Sequence, residues 1–123
     1  MNKSLIKTCA IGLIATGLAA CSSMPAPTTE VALSESAVKD AEVAGAREYA
    51  PLELRRANEK LSQARKAMEE KEFEEAKLYA EQALVDAELA EAKSYSGKSD
   101  VAVRELRDSI ALMRQEIDRA QGS

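Results

Sequence analysis

Apolar residues recur along most of this chain at alternating steps of three and four, the spacing that brings side chains onto one face of an α-helix. The clearest run is Leu54, Ala57, Leu61, Ala64 and Met68. A second run, Phe73, Ala76, Ala80, Ala83, Ala87 and Ala90, keeps the same alternation but is almost wholly alanine. A third follows at Val103, Leu106, Ile110, Met113, Ile117 and Ala120. A weaker pattern, Val31, Val38, Ala41 and Ala44, precedes them all. No stretch alternates with the two-residue period of a strand, so the pattern predicts an all-α fold.

Breakers and caps divide these runs into three to four helices, at about 30–49, 51–70, 73–96 and 99–120. Thr28 or Thr29 is suited to cap the first, with Glu30 in its opening turn. Ala50-Pro51 interrupts it, because the residue before a proline avoids helical geometry, whereas Pro51 itself is well placed to open the second helix. The alanine stripe lets two backbones approach closely, so the second and third helices are expected to form a tight antiparallel hairpin. Leu78, Leu84, Val85 and Leu89 would broaden that stripe toward a further helix. The composition of Ser94-Tyr95-Ser96-Gly97-Lys98-Ser99-Asp100 predicts a break or kink near Gly97. The alternative is one continuous helix whose stripe shifts by a position.

The first 20 residues follow a different rule. Lys3 and Lys7 give a positive start, and an uncharged apolar run from Cys9 to Ala20 is too short for the roughly 20 residues of a membrane span. It closes on Leu18-Ala19-Ala20-Cys21, which resembles the lipobox of bacterial lipoprotein signal peptides. That resemblance implies signal peptidase recognition through Leu18, Ala19 and Ala20, cleavage before Cys21, and diacylglycerol and N-acyl lipid on Cys21. Residues 1–20 are then the signal peptide, 21–29 a lipidated cysteine and flexible tether with two prolines, and 30–123 the helical domain. Several acyl chains hold a bilayer far more firmly than one. Ser22 stands where aspartate usually marks inner-membrane retention in Gram-negative lipoproteins, so the implied destination is the periplasm-facing leaflet of the outer membrane.

Composition narrows the chemistry. The formal charge is −4, and loss of Lys3 and Lys7 leaves 15 basic against 21 acidic residues, or −6, which argues against nucleic acid as a partner. There is no histidine, and the two cysteines are Cys9 in the signal and Cys21 in the lipobox. Serine–histidine and cysteine–histidine catalysis and the common zinc and haem ligand sets therefore cannot be assembled. No catalytic residue, metal site or cofactor is expected, apart from the lipid on Cys21. Glu69, Glu70, Glu72, Glu74 and Glu75 crowd one turn but read as solvated or dipole-favoured carboxylates. Arg55, Arg56, Lys60, Arg65 and Lys66 line the second helix, and pairs such as Arg55 with Glu59, Glu35 with Lys39 and Arg114 with Asp118 suit ordinary exposed faces. Tyr49, Phe73, Tyr79 and Tyr95 read as helix-end packing rather than a sugar platform.

The run from Ala44 through Tyr49-Ala50-Pro51 to Ala57, with Lys60-Leu61, Phe73-Glu74-Glu75-Ala76 and Ala87-Glu88-Leu89-Ala90, resembles the domain-of-unknown-function 4398 family. Its members are alanine-rich helical modules of bacterial envelope lipoproteins, and some precede an OmpA-like peptidoglycan-binding domain. The sequence ends at Gln121-Gly122-Ser123 without such a domain. The lipobox, the missing catalytic inventory and the apolar seams together lead to the expectation of a non-enzymatic scaffold or interaction module of the cell envelope, held to the membrane by lipid, with an envelope protein partner or self-association completing a core built largely of alanine. Non-covalent binding to peptidoglycan is the alternative.

Overall fold

The structure is a computed structural model that describes residues 24–122. It contains α1 (Thr28–Ala44), α2 (Ala46–Tyr49), α3 (Pro51–Glu70) and α4 (Phe73–Gln121), and no strand among the described residues. The all-α expectation holds. Its boundaries change in three places.

The first helix stops at Ala44 instead of running to Tyr49. Gly45 takes a left-handed conformation (φ 96°), and its amide bonds to the carbonyls of Ala41 and Glu42. Glycine adopts this geometry without the steric cost that a Cβ brings. One further turn, α2, follows before Pro51 opens α3 at its first position. The start differs as well: Pro27 occupies the cap position of α1 with no side-chain cap bond, and Thr28 and Thr29 are already helical.

The larger correction concerns Gly97, where no break occurs. α4 is a single helix of 49 residues, about 73 Å long at 1.5 Å per residue. A Cβ built on Gly97 would fall 2.6 Å from Cδ1 of Tyr49 and 3.1 Å from its Cβ. Gly97 is there because the Tyr49 ring lies against the helix backbone. Helix propensity is lost for a close approach, not for a turn.

The bundle is a three-layer contact of α1, α3 and α4. In α3 the buried seam is Leu54, Ala57, Leu61, Ala64 and Ala67, with Met68 only half-buried, so the last step is three rather than four. Ala76, Ala80, Ala83, Ala87 and Ala90 of α4 are completely buried, as are Ala41 of α1 and Ala57 of α3. Ser34, Ser94 and Glu53 are the buried polar exceptions among the described residues, and the two serines are fully enclosed. Each serine donates its hydroxyl to a carbonyl of its own helix, Ser34 to Val31 at 2.8 Å and Ser94 to Ala90 at 2.6 Å. A small polar residue thereby fits where backbones are close, without leaving a buried polar group unpaired.

Helix directions follow from the pairs that cross between elements. α3 and α4 are joined by the Lys71–Glu72 turn and run antiparallel, with Lys60 to Asp86 at 2.6 Å and Lys93 hydrogen-bonded to Glu53. Glu35 of α1 meets Arg65 of α3 at 2.8 Å, although these residues lie far from the α1–α3 connection, so α1 also runs against α3. α1 is therefore parallel to α4. Its beginning lies with Met24–Glu30 beside Lys77, and its end lies where Gly45 approaches the Lys98 side chain.

Candidate interaction surface

The opposed ends of the bundle decide what the molecule can present. Among the described residues nothing packs on α4 beyond the half-buried Val101: Ala102 through Gly122 are all exposed. This part, hereafter the arm, extends about 30 Å past the bundle. In proteins most helical stability comes from packing of an apolar face rather than from intrinsic propensity, and the bundle supplies the arm with no such packing.

The arm has such a face. Val103 is 45% exposed, Leu106 61%, Ile110 37%, Met113 56% and Ile117 54%, and their spacing puts them on one stripe. Written as a heptad, position a holds Val103, Ile110 and Ile117, and position d holds Leu106, Met113 and Ala120. Counting back in the same register reaches Leu89 at a and Val85 and Leu78 at d, all exposed in the bundle half of α4. The buried residues of α4, Ala76, Ala80, Ala83, Ala87, Ala90 and Ser94, occupy positions b and f of that register. α4 thus carries two stripes on opposite sides. The alanine stripe holds α1 and α3 and ends near Gly97, where Arg104 and Asp108 continue it as polar positions. The second stripe faces outward in two stretches, Leu78, Val85 and Leu89 beside the bundle and Val103 to Ala120 in the arm, with Ala92, Ser96 and Ser99 between them.

This arrangement corrects the expectation that Leu78, Leu84, Val85 and Leu89 extend the bundle face toward another helix of the same chain. Leu84 is half-buried, while Leu78, Val85 and Leu89 look to solvent. The signal lies in the heptad count backward from Val103, which misses every buried alanine of α4.

The other sequence candidates are dispersed or paired. Arg55 is 3.8 Å from Glu59, Lys66 is 3.7 Å from Glu70, Lys60 is engaged by Asp86 and Arg65 by Glu35, so the basic face of α3 is largely matched by carboxylates. Glu35 turns to Arg65 instead of Lys39. Hydrogen bonding to Lys93 holds the Glu53 carboxyl below the usual glutamate range, assisted by the backbone and by the nearby Lys93 and Arg56 charges. Glu69, Glu70, Glu72, Glu74 and Glu75 are exposed around the α3–α4 turn. Among the described residues no group of three or more acidic, cysteine or histidine side chains is arranged to hold a metal ion. Phe73 and Tyr95 are separated by about 33 Å along α4, so the aromatics form no common platform. No helix among the described residues is long and apolar enough to cross a membrane. Leu18, Ala19, Ala20 and Cys21 lie outside the described residues.

A family model with the description "Domain of unknown function (DUF4398)" matches residues 29–106, well over half of the sequence. The chain belongs to the DUF4398 family. No curated protein and no solved structure matches it. The DUF4398 region takes in α1, α2, α3 and the bundle half of α4, including the Tyr49–Gly97 contact, and ends at Leu106 inside the arm.

Proposed function

We propose that this DUF4398 protein is a lipid-anchored envelope lipoprotein, without enzymatic activity, that holds an interaction face away from the membrane that carries it. Cys21 is the lipidation site, and the outer membrane's periplasmic leaflet is the location that Ser22 favours. The observation that carries the reading is the polarity of the fold. The described chain begins beside Lys77, at one end of the bundle, and the arm leaves from the other. From Lys77 to Gln121 the axis covers roughly 65 Å. A chain tethered at Cys21 would keep the bundle nearest the bilayer and send the apolar stripe of the arm into the periplasm.

The chemistry supports a scaffold rather than a catalyst: Glu53, buried in the bundle, is held in a pair with Lys93. Wall binding through the basic face of α3 draws no such support, since its cations are matched by neighbouring carboxylates. The test is acyl labelling with membrane fractionation of the full chain and its Cys21→Ala variant. Loss of label and release from the membrane fraction are expected. A variant that keeps both would refute the anchor.

A further inference from the structure

We propose that the arm of α4 is one strand of a parallel, two-stranded coiled coil whose other strand is the arm of a second copy of this chain. The first ground is the identity of the stripe. β-Branched residues occupy every a position of the arm, Val103, Ile110 and Ile117, and unbranched or γ-branched ones the d positions Leu106 and Met113. That distribution favours two parallel strands over three or four.

The second ground is charge. In a parallel pair each g position faces the e position five residues on in the other strand. Ala102 then faces the second copy's Arg107, Ser109 its Arg114, and Glu116 its Gln121, so no like charges meet. An antiparallel pair overlapping all six layers would set Arg107 beside the second copy's Arg114 twice along one flank. Between the bundle half and the arm the same register places Ala92, Ser96 and Ser99 at its core positions, which interrupts the apolar stripe and confines the contact to the arm.

Area gives the third ground. The five large apolar residues, 37–61% exposed, together with the aliphatic stems of Arg107 and Arg114, withdraw on the order of 1,000 Å² when two arms pair. This lies at the lower edge of what specific interfaces bury, so the free pair is weak. Confinement of both copies to one surface raises their effective concentration and favours it. That last step rests on the lipoprotein reading, and a parallel pair is also the orientation that keeps both tethered ends on one side. The pairing itself does not depend on the anchor.

The test is oxidative crosslinking of the full chain carrying Val103→Cys, in cells and after purification, beside the unsubstituted chain as the control for Cys9 and Cys21. In a parallel pair the two substituted a positions lie about 6 Å apart between Cα atoms, within disulfide reach. A homodimer band that exceeds the control is expected, and Ile110→Asp introduced into the same chain should reduce it at least tenfold. The arm makes no bundle contact, so circular dichroism of the bundle reports that the variant remains folded. Crosslinking of Val103→Cys chains to Ala120→Cys chains, without self-crosslinking of either, overturns the parallel arrangement. Monomer alone, or a crosslink to a different protein, overturns the second copy as the occupant. Fractionation of the same cells reads the anchor separately.

Discussion

Replacing Gly97 with alanine sets two effects of opposite sign against each other. In a helix interior the change gains about 1 kcal/mol of intrinsic propensity. Against it stands the Tyr49 ring, because the added Cβ would lie 2.6 Å from Cδ1 and 3.1 Å from Cγ. Forcing a methyl group into such a contact costs about 1–3 kcal/mol, and the half-buried ring can yield only by moving off α4. The net expectation is destabilisation by about 1 kcal/mol, or roughly 4–8 °C in melting temperature for a domain of this size. Tyr49→Ala removes the ring and reverses the sign: in that background Gly97→Ala should stabilise, by up to about 1 kcal/mol. Thermal and urea melts of the four proteins, followed by helical circular dichroism, give the coupling directly. Equal stabilisation in both backgrounds would show that Gly97 is a tolerated helix glycine with no packing role, and the contact argument would fail.

Two further outcomes follow from local geometry. Lys71 terminates α3 in a left-handed conformation (φ 62°), with the amides of Lys71 and Glu72 bonded to Met68 and Ala67. Lys71→Gly should therefore raise stability by about 1 kcal/mol in denaturant melts, and a loss would contradict the cap. Glu53 is held below its ordinary value by Lys93, so the native chain binds fewer protons there than the unfolded one. Its contribution is present at neutral pH and disappears as pH falls from the ordinary glutamate value through the native one. The stability advantage of the natural chain over Glu53→Gln should narrow between about pH 7 and about pH 3; an advantage that grows on acidification would oppose the assignment.

Much of the bundle is written in local pattern. Leu54, Ala57, Leu61 and Ala64 are buried as their spacing requires, Pro51 opens its helix, and the alanines from Ala76 to Ala90 form the close contact with α3. What local pattern conceals is the reason for a glycine. Gly45 and Gly97 look alike in a polar, small-residue context, yet one turns the chain and the other lies under a ring 48 residues away in sequence. The two stripes of α4 are concealed differently. Each has helical spacing, and only their relative phase, b and f against a and d, tells that they face opposite ways. The addressing signal proposed at Leu18-Ala19-Ala20-Cys21 would be read by other proteins, and helix packing neither requires nor reveals it.

The alanine seam also bears on how the bundle responds to temperature. Most of its fully buried side chains are single methyl groups, so unfolding exposes little new apolar surface for each residue released. The heat-capacity increment of unfolding scales with that exposure. A small increment flattens the curve of stability against temperature, placing cold and heat denaturation far apart. For a helical strut held by methyl contacts, breadth of working temperature thus comes from the smallness of its core residues, even where the depth of its stability is modest.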